Sequence, residues 1–162
     1  LPLYNLWRYS ASVIPMGSIH MSNSAPFQIR HWSSGKFIHP HGGNAGHDTS
    51  LVTWDGCADR TMFYLQFCEG PWGYLVSNAN PTYCVHPSGG RVDAGNDTGL
   101  LFHEGRHPGA YFTINETSRT IMHISGRSWH PHGGDAQPGS GNGIVLWDGY
   151  RFHPVHTRTG SP

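Results

Sequence analysis

Apolar and polar residues alternate along this chain in short bursts, four to six residues long, and each burst is cut off by Gly, Pro, Asn or Ser. Phe27-Gln28-Ile29-Arg30-His31-Trp32, Met62-Phe63-Tyr64-Leu65-Gln66-Phe67 and Ala110-Tyr111-Phe112-Thr113-Ile114 are typical. They are rich in aromatic and β-branched residues, which suit a pleated, half-buried surface. No stretch sustains a 3.6-residue apolar period, so the pattern predicts an all-β protein. Read this way, strands are expected at 27–32, 36–39, 51–54, 62–67, 72–76, 83–86, 100–103, 110–114, 120–124, 128–130, 144–147 and, more weakly, 150–155.

These twelve segments fall into three copies of one unit. His-Pro-x-Gly-Gly starts at His39, His86 and His130, so that successive starts lie 47 and 44 residues apart. Each is followed by a related tripeptide: Trp54-Asp55-Gly56, His103-Glu104-Gly105 and Trp147-Asp148-Gly149. A near-constant spacing of this size marks a supersecondary unit repeated around an axis. Four strands per unit and three units are the plan of a β-trefoil, in which a six-stranded barrel is closed at one end by three hairpins and few sheet edges stay open. A three-bladed propeller is the alternative, and propellers ordinarily need four blades or more. The expected domains are an N-terminal extension at 1–25 and a trefoil at 26–162, with repeats at about 26–69, 70–115 and 116–162. The extension carries Leu3, Tyr4, Leu6, Trp7, Val13 and Ile14, which should pack on the barrel or against a second chain as a homo-oligomer contact.

Composition narrows the partners. Ten basic residues balance ten acidic ones and Lys36 is the only lysine, which leaves no field to hold a phosphate backbone, so nucleic acid is excluded. Charged residues are 12% of the chain and there are 22 glycines, a surface suited to neutral, hydroxyl-rich ligands. No apolar run approaches the roughly 20 residues that span a bilayer, so membrane insertion is not expected. The start at Leu1-Pro2 and the sequons at Asn96 and Asn115 suggest a secreted, extracellular protein. Three cysteines, Cys57, Cys68 and Cys84, leave at least one thiol without an intrachain partner, and a Cys68–Cys84 bridge is conceivable.

The repeated residues also carry chemistry. In HPxGG the proline fixes the backbone where a strand ends, while the paired glycines permit positive φ and leave amide groups uncovered. A histidine beside such a backbone pocket offers a ring nitrogen as donor or acceptor, and a carboxylate accepts from two neighbouring hydroxyls at once. Together with an aromatic face for the C–H side of the ring, these are the parts a pyranose needs. Candidate sugar-binding residues are therefore His39, Gly42, Trp54 and Asp55 in the first unit, His86, Gly89, His103, Glu104 and His107 in the second, and His130, Gly133, Trp147 and Asp148 in the third. Tyr111 reads better as core. Turn geometry alone would explain the Pro and Gly residues, and the acids would then simply cap their Asp-Gly or Glu-Gly turns.

Over about residues 26–156 the chain resembles the mytilectin family, β-trefoil lectins of marine molluscs that bind galactose and N-acetylgalactosamine. That family carries HPxGG, an Asn-Asp/Glu-Thr element and His-x-Asp-x-His in each unit. Here HPxGG matches three times; the middle element is His47-Asp48-Thr49, Asn96-Asp97-Thr98 and Ser140-Gly141-Asn142; and the last matches through His103 and His107 of the second unit only. Asp55, Glu104 and Asp148 stand one position earlier than the family's acid. The resemblance implies a multivalent, non-enzymatic lectin that needs no cofactor, with glycans of glycoproteins or glycolipids as partners and galactose, N-acetylgalactosamine or another N-acetylhexosamine as the sugar.

Three rival readings remain. His39-x-His41 and His130-x-His132 would place alternating imidazoles on one side of a strand, as in a metal site, although two ligands do not complete one. Glycoside hydrolysis needs two carboxylates in unlike environments, whereas each unit offers a single recurring acid. A protease inhibitor or signalling ligand would use one protruding loop and would not require a threefold motif. If the repeated histidines titrate near 6.5, ligand binding should change below about pH 6.

Overall fold

The computed structural model describes residues 22–148 and the strand Val155–His156. It is all-β, with twelve strands in the order expected: β1 (Arg30–His31), β2 (Phe37–Pro40), β3 (Leu51–Trp54), β4 (Phe63–Glu69), β5 (Trp72–Ser77), β6 (Cys84–Pro87), β7 (Thr98–His103), β8 (Phe112–Asn115), β9 (Thr120–His123), β10 (Ser128–Pro131), β11 (Ile144–Trp147) and β12 (Val155–His156).

Six of these strands follow one another around a barrel. β12 pairs with β1, and Phe27, in the extended run leading into β1, bridges to Phe63 of β4. β4 pairs with β5, β5 touches β8 through Gly73 and Phe112, β8 pairs with β9, and β9 lies against β12. The other six form three antiparallel hairpins, β2–β3, β6–β7 and β10–β11, in one register: Phe37 faces Trp54, Cys84 faces His103 and Ser128 faces Trp147. The hairpins meet one another where β7 pairs with β11, and where Ser50, just before β3, and Val52, within it, bridge Leu101 and Gly143. This is the β-trefoil that the repeat predicts.

One apolar cluster fills the space between barrel and hairpins, running from Phe27 and Ile29 through Leu65, Leu75 and Phe102 to Ile121 and Leu146. The residue before each repeated histidine points into it. Ile38 and Val85 do so in the first two units, and the third places a fully buried Trp129 there, edge-on to Phe112 with ring centroids 5.8 Å apart. The pseudo-threefold core is thus filled with unequal volumes, a packing solution that needs the total to fit and not each unit to match.

Some expectations change. Backbone pairing begins before residue 26, since Ser24 donates to Leu65 and Phe67 donates to Ser22. The rest of the 1–25 extension, with its proposed role in oligomerisation, lies outside the described residues, as do 150–154 of the last weak segment. No disulfide joins the three cysteines to one another: Cys57 is exposed, Cys68 half-buried and Cys84 buried, with burial pushing Cys84 up to about 11.

Candidate functional site

Each hairpin ends in HPxGG because proline cannot extend the ladder: Pro40, Pro87 and Pro131 form the last register pairs, with Leu51, Leu100 and Ile144. The chain then turns through two glycines with positive φ, 80° and 89° in the first copy, 86° and 64° in the second, and 86° and 69° in the third. The first glycine of each pair is left open, since a Cβ at Gly42, Gly89 or Gly133 would meet nothing within 4 Å.

The repeated histidines have a role that the sequence did not show. His39 Nε2 donates to the carbonyl of Gly56 at 2.8 Å, and His86 Nε2 donates to Gly105 at 2.6 Å. Each ring thereby pins HPxGG to the tripeptide of its own unit. Because a carbonyl only accepts, the neutral ring carries its proton on Nε2 and presents Nδ1 as an acceptor. Burial holds both rings below the ordinary imidazole value, His86 at about 4, against the opposing pull of the carbonyl bond. His130 is buried too, but its Nδ1 donates to the Ser128 carbonyl at 3.0 Å, so that edge is engaged in the third unit.

Beside each HPxGG lies a hollow. The first, about 480 Å³, is lined by His39, Gly42, Gly43, Trp54, Asp55 and Arg60 among others. The second, about 280 Å³, is lined by His86, Gly89, Gly90, His103, His107 and Asp48 among others. The third, about 330 Å³, is lined by His130, His132, Gly133, Gly134, Trp147 and Asp97 among others. Trp54 and Trp147 are 47% and 40% exposed, so they belong to the rims and not to the core, whereas Tyr111 packs in a small buried cluster with Tyr74 and Cys84.

Two groups of charged lining residues were not among the candidates. Asp48 and Asp97 come from the middle element of the preceding unit and reach into the second and third hollows; both adopt positive φ, 60° and 67°. The corresponding position in the third unit is Gly141, whose Cβ would stand 3.8 Å from the Trp54 ring at the first hollow. Arg60 is the other. Its guanidinium lies where a Cβ on Gly43 would come within 3.3 Å, the place that His107 takes beside Gly90. The available signal was the middle element itself, an aspartate standing six positions before the tripeptide in two units.

The recurring acids do something else as well. Glu104 accepts from His47 Nδ1 at 2.7 Å, Asp148 accepts from Asn96 Nδ2 at 3.1 Å, and Asp55 accepts from Ser140 Oγ at 3.3 Å. In every case the donor is the first residue of the preceding unit's middle element, so these acids join neighbouring units. Asp55 also lines its hollow and is paired with Lys36 at 2.7 Å, which holds its carboxyl below the usual range. Glu104 and Asp148 are not among the lining residues of theirs.

The expected pairs of strand histidines do not form. The strands end at Pro40 and Pro131, so His41 falls in the 3-10 turn His41–Gly43 and the period-two argument stops one residue too early. The one grouping of three potential metal-ligating side chains among the described residues is elsewhere, at His47, His103 and Glu104.

The family described as MytiLec, alpha-D-galactose-binding lectin, matches residues 27–154. The chain belongs to this lectin family. Relatives include a galactose-binding lectin of Mytilus californianus, 41% identical over 51 residues, or 30% of this chain and 34% of that protein. An alpha-D-galactose-binding lectin of Mytilus galloprovincialis is 41% identical over the same length, 30% of this chain and 27% of that one. The chain therefore aligns with about a third or less of these relatives' length. Among solved structures, the designed threefold-symmetric protein ThreeFoil superposes with a TM-score of 0.66 at 9% identity, covering 81% of this chain and 96% of that one. The C-half of an earthworm R-type lectin, solved with GalNAc, gives 0.61 at 14%, covering 80% and 95%. At such identities these two matches speak for the trefoil fold.

Proposed function

We propose that this chain is a multivalent, non-enzymatic lectin that binds terminal hexoses, galactose or an N-acetylhexosamine, in the hollows beside HPxGG. The observation that carries the reading is the convergence, in the second hollow, of an Nδ1 acceptor on His86, the uncovered Gly89 backbone and the carboxylate of Asp48. A pyranose presents adjacent hydroxyls, and a carboxylate that accepts from two of them is the usual source of strong, directional sugar contacts. In the third hollow Asp97 takes the place of Asp48, and Trp147 adds an apolar face for the ring. The first hollow has Trp54 with Asp55 and Arg60, so the three linings differ and unequal affinities follow. Naming of the relatives as galactose-binding lectins supports the choice of sugar class. Separate sites on one rigid trefoil would raise avidity for glycoproteins or glycolipids at an extracellular surface, with no cofactor.

The test is a glycan-array screen in chelator of the parent chain and of an Asp48→Asn, Asp97→Asn variant. Asparagine tolerates positive φ as aspartate does, so the turns survive the change. Binding of the parent to terminal hexoses, weakened about tenfold or more in the variant, is the expected result, since a hydrogen bond to a charged group contributes about 1.5–3 kcal/mol. A parent chain that binds nothing on a broad array ends the lectin reading.

A further inference from the structure

The three junctions between units are built alike but are not chemically alike. Each brings together the first residue of one unit's middle element and the first two residues of the next unit's tripeptide. At two junctions these are Asn96 with Trp147 and Asp148, and Ser140 with Trp54 and Asp55, which supply one good metal ligand apiece. At the remaining junction they are His47, His103 and Glu104.

The ligand atoms of this third set all lie within 4.8 Å of one another. Glu104 Oε2 is 2.7 Å from His47 Nδ1 and 3.5 Å from His103 Nδ1. Ligands around a tetrahedral ion with bonds of about 2.0–2.1 Å stand about 3.3–3.5 Å apart. The His103 spacing already fits, and the His47 spacing needs to open by less than an ångström once an ion replaces the shared proton. His103 Nδ1 accepts from the Gly105 backbone N–H at 3.3 Å, a long bond that an ion would displace to take the same lone pair. His47 has the outer partner that a metal-bound imidazole usually has: its far nitrogen, Nε2, is 3.3 Å from the Asp48 carboxylate. The three side chains are 54%, 41% and 42% exposed, so an ion can enter and keep solvent on its open side.

We propose that His47, His103 and Glu104 form a binding site for a borderline transition-metal ion, zinc being the reference case, at the junction of the first and second units. Two imidazoles and one carboxylate are a donor set that Zn²⁺ accepts, with water as the fourth ligand. The site shares His103 and Asp48 with the second hollow, is separate from the other two hollows, and zinc binding here does not require that any hollow bind sugar.

The test is a zinc titration of the tag-free full chain at pH 7.5 by calorimetry, with imidazole resonances followed by NMR. Variants are His47→Asn, which reproduces the Asn96 arrangement of the next junction and so keeps a bond to Glu104, and Glu104→Gln. His41→Asn, in a remote turn, is the control for adventitious histidine binding. The expected result is one equivalent bound at micromolar concentration, with His47 and His103 resonances shifting together. Affinity should fall at least tenfold in His47→Asn and Glu104→Gln, with melting temperature little changed, and stay as in the parent in His41→Asn. The proposal is overturned if the parent binds no zinc at 100 micromolar, about the weakest affinity worth calling a site, if His47→Asn binds as the parent does, or if the loss is greater in His41→Asn.

Discussion

Asn96 and Asp148 hold each other by two hydrogen bonds across the junction of the second and third units: the Asn96 amide donates to the Asp148 carboxylate at 3.1 Å, and its carbonyl oxygen accepts from the Asp148 backbone N–H at 3.0 Å. The same oxygen also accepts from Arg127 Nε at 2.9 Å. Asn96→Ala should therefore destabilise the fold by about 1–2 kcal/mol, two or three bonds discounted for their exposure. Chemical denaturation of the two proteins checks this; an unchanged midpoint would mean that water replaces the amide without loss. The variant also removes the sequon, so both proteins should be made without glycosylation.

The corresponding link at the first junction, His47 to Glu104, depends on pH. The carboxylate beside it raises His47 above its ordinary value, and the imidazole lowers Glu104. A raised histidine stabilises below its unfolded value near 6.5 and loses this as pH rises through the folded one; a lowered carboxylate stabilises above its unfolded value near 4.5 and loses this as pH falls. The link should be strongest between about pH 4.5 and 6.5. Comparing melting temperatures of the parent and His47→Asn from pH 3.5 to 8.5 should show the parent's relative advantage peaking inside that window, and a difference that stays constant with pH would show that the ion pair adds nothing.

The number of units, their four strands each and the trefoil were legible because turn chemistry and strand alternation are local, and they recur at matching offsets around His39, His86 and His130. What joins one unit to the next was not. Aligning the repeats sets His47 beside Asn96 and Ser140, whereas the contacts run from His47 to Glu104 and from Asn96 to Asp148. For the same reason Asp48 and Asp97 were missed as lining residues: each belongs in sequence to the unit before the hollow it enters. Arg60 was hidden differently. It aligns with Gly109 and not with His107, and only the length of its side chain brings it to the equivalent place beside Gly43.

Histidine 86 should stay neutral well below the pH at which a free imidazole gains its charge. Burial is the main cause and outweighs the bond to Gly105, leaving the ring at about 4. Between pH 6.5 and 4 the unfolded chain takes up a proton that the folded ring refuses, so stability should decline as pH falls through that window, by on the order of 3 kcal/mol from this residue. His39 and His123, also lowered by burial, act in the same direction. The consequence for binding differs from the expectation drawn from an ordinary histidine: the Nδ1 acceptor of His86 should survive to pH 5. An NMR titration of the His86 ring decides the matter, and a midpoint near 6.5 would rule this account out.

Gly109 supports the second hollow from behind. It lies in the 3-10 turn Pro108–Ala110, whose start is capped by His107 Nδ1 accepting from the Gly109 N–H at 3.2 Å, and its carbonyl accepts from His123 Nε2 at 2.8 Å. A Cβ on Gly109 would run into the carbonyl of Gly90, backbone that cannot swing aside as a side chain can. Gly109→Ala must therefore push the turn away from the HPSGG backbone, at a cost of about 1–3 kcal/mol for overpacking a tight contact. The displacement should also reach the ligand, because His107 and Gly90 both line the hollow. Gly95→Ala is the matched control, since a Cβ there meets nothing within 4 Å and no positive φ is involved. The expected outcome is a lower melting temperature and perturbed His86 and His107 resonances in Gly109→Ala alone. Equal behaviour of the two variants would show that the turn and the hollow are not coupled.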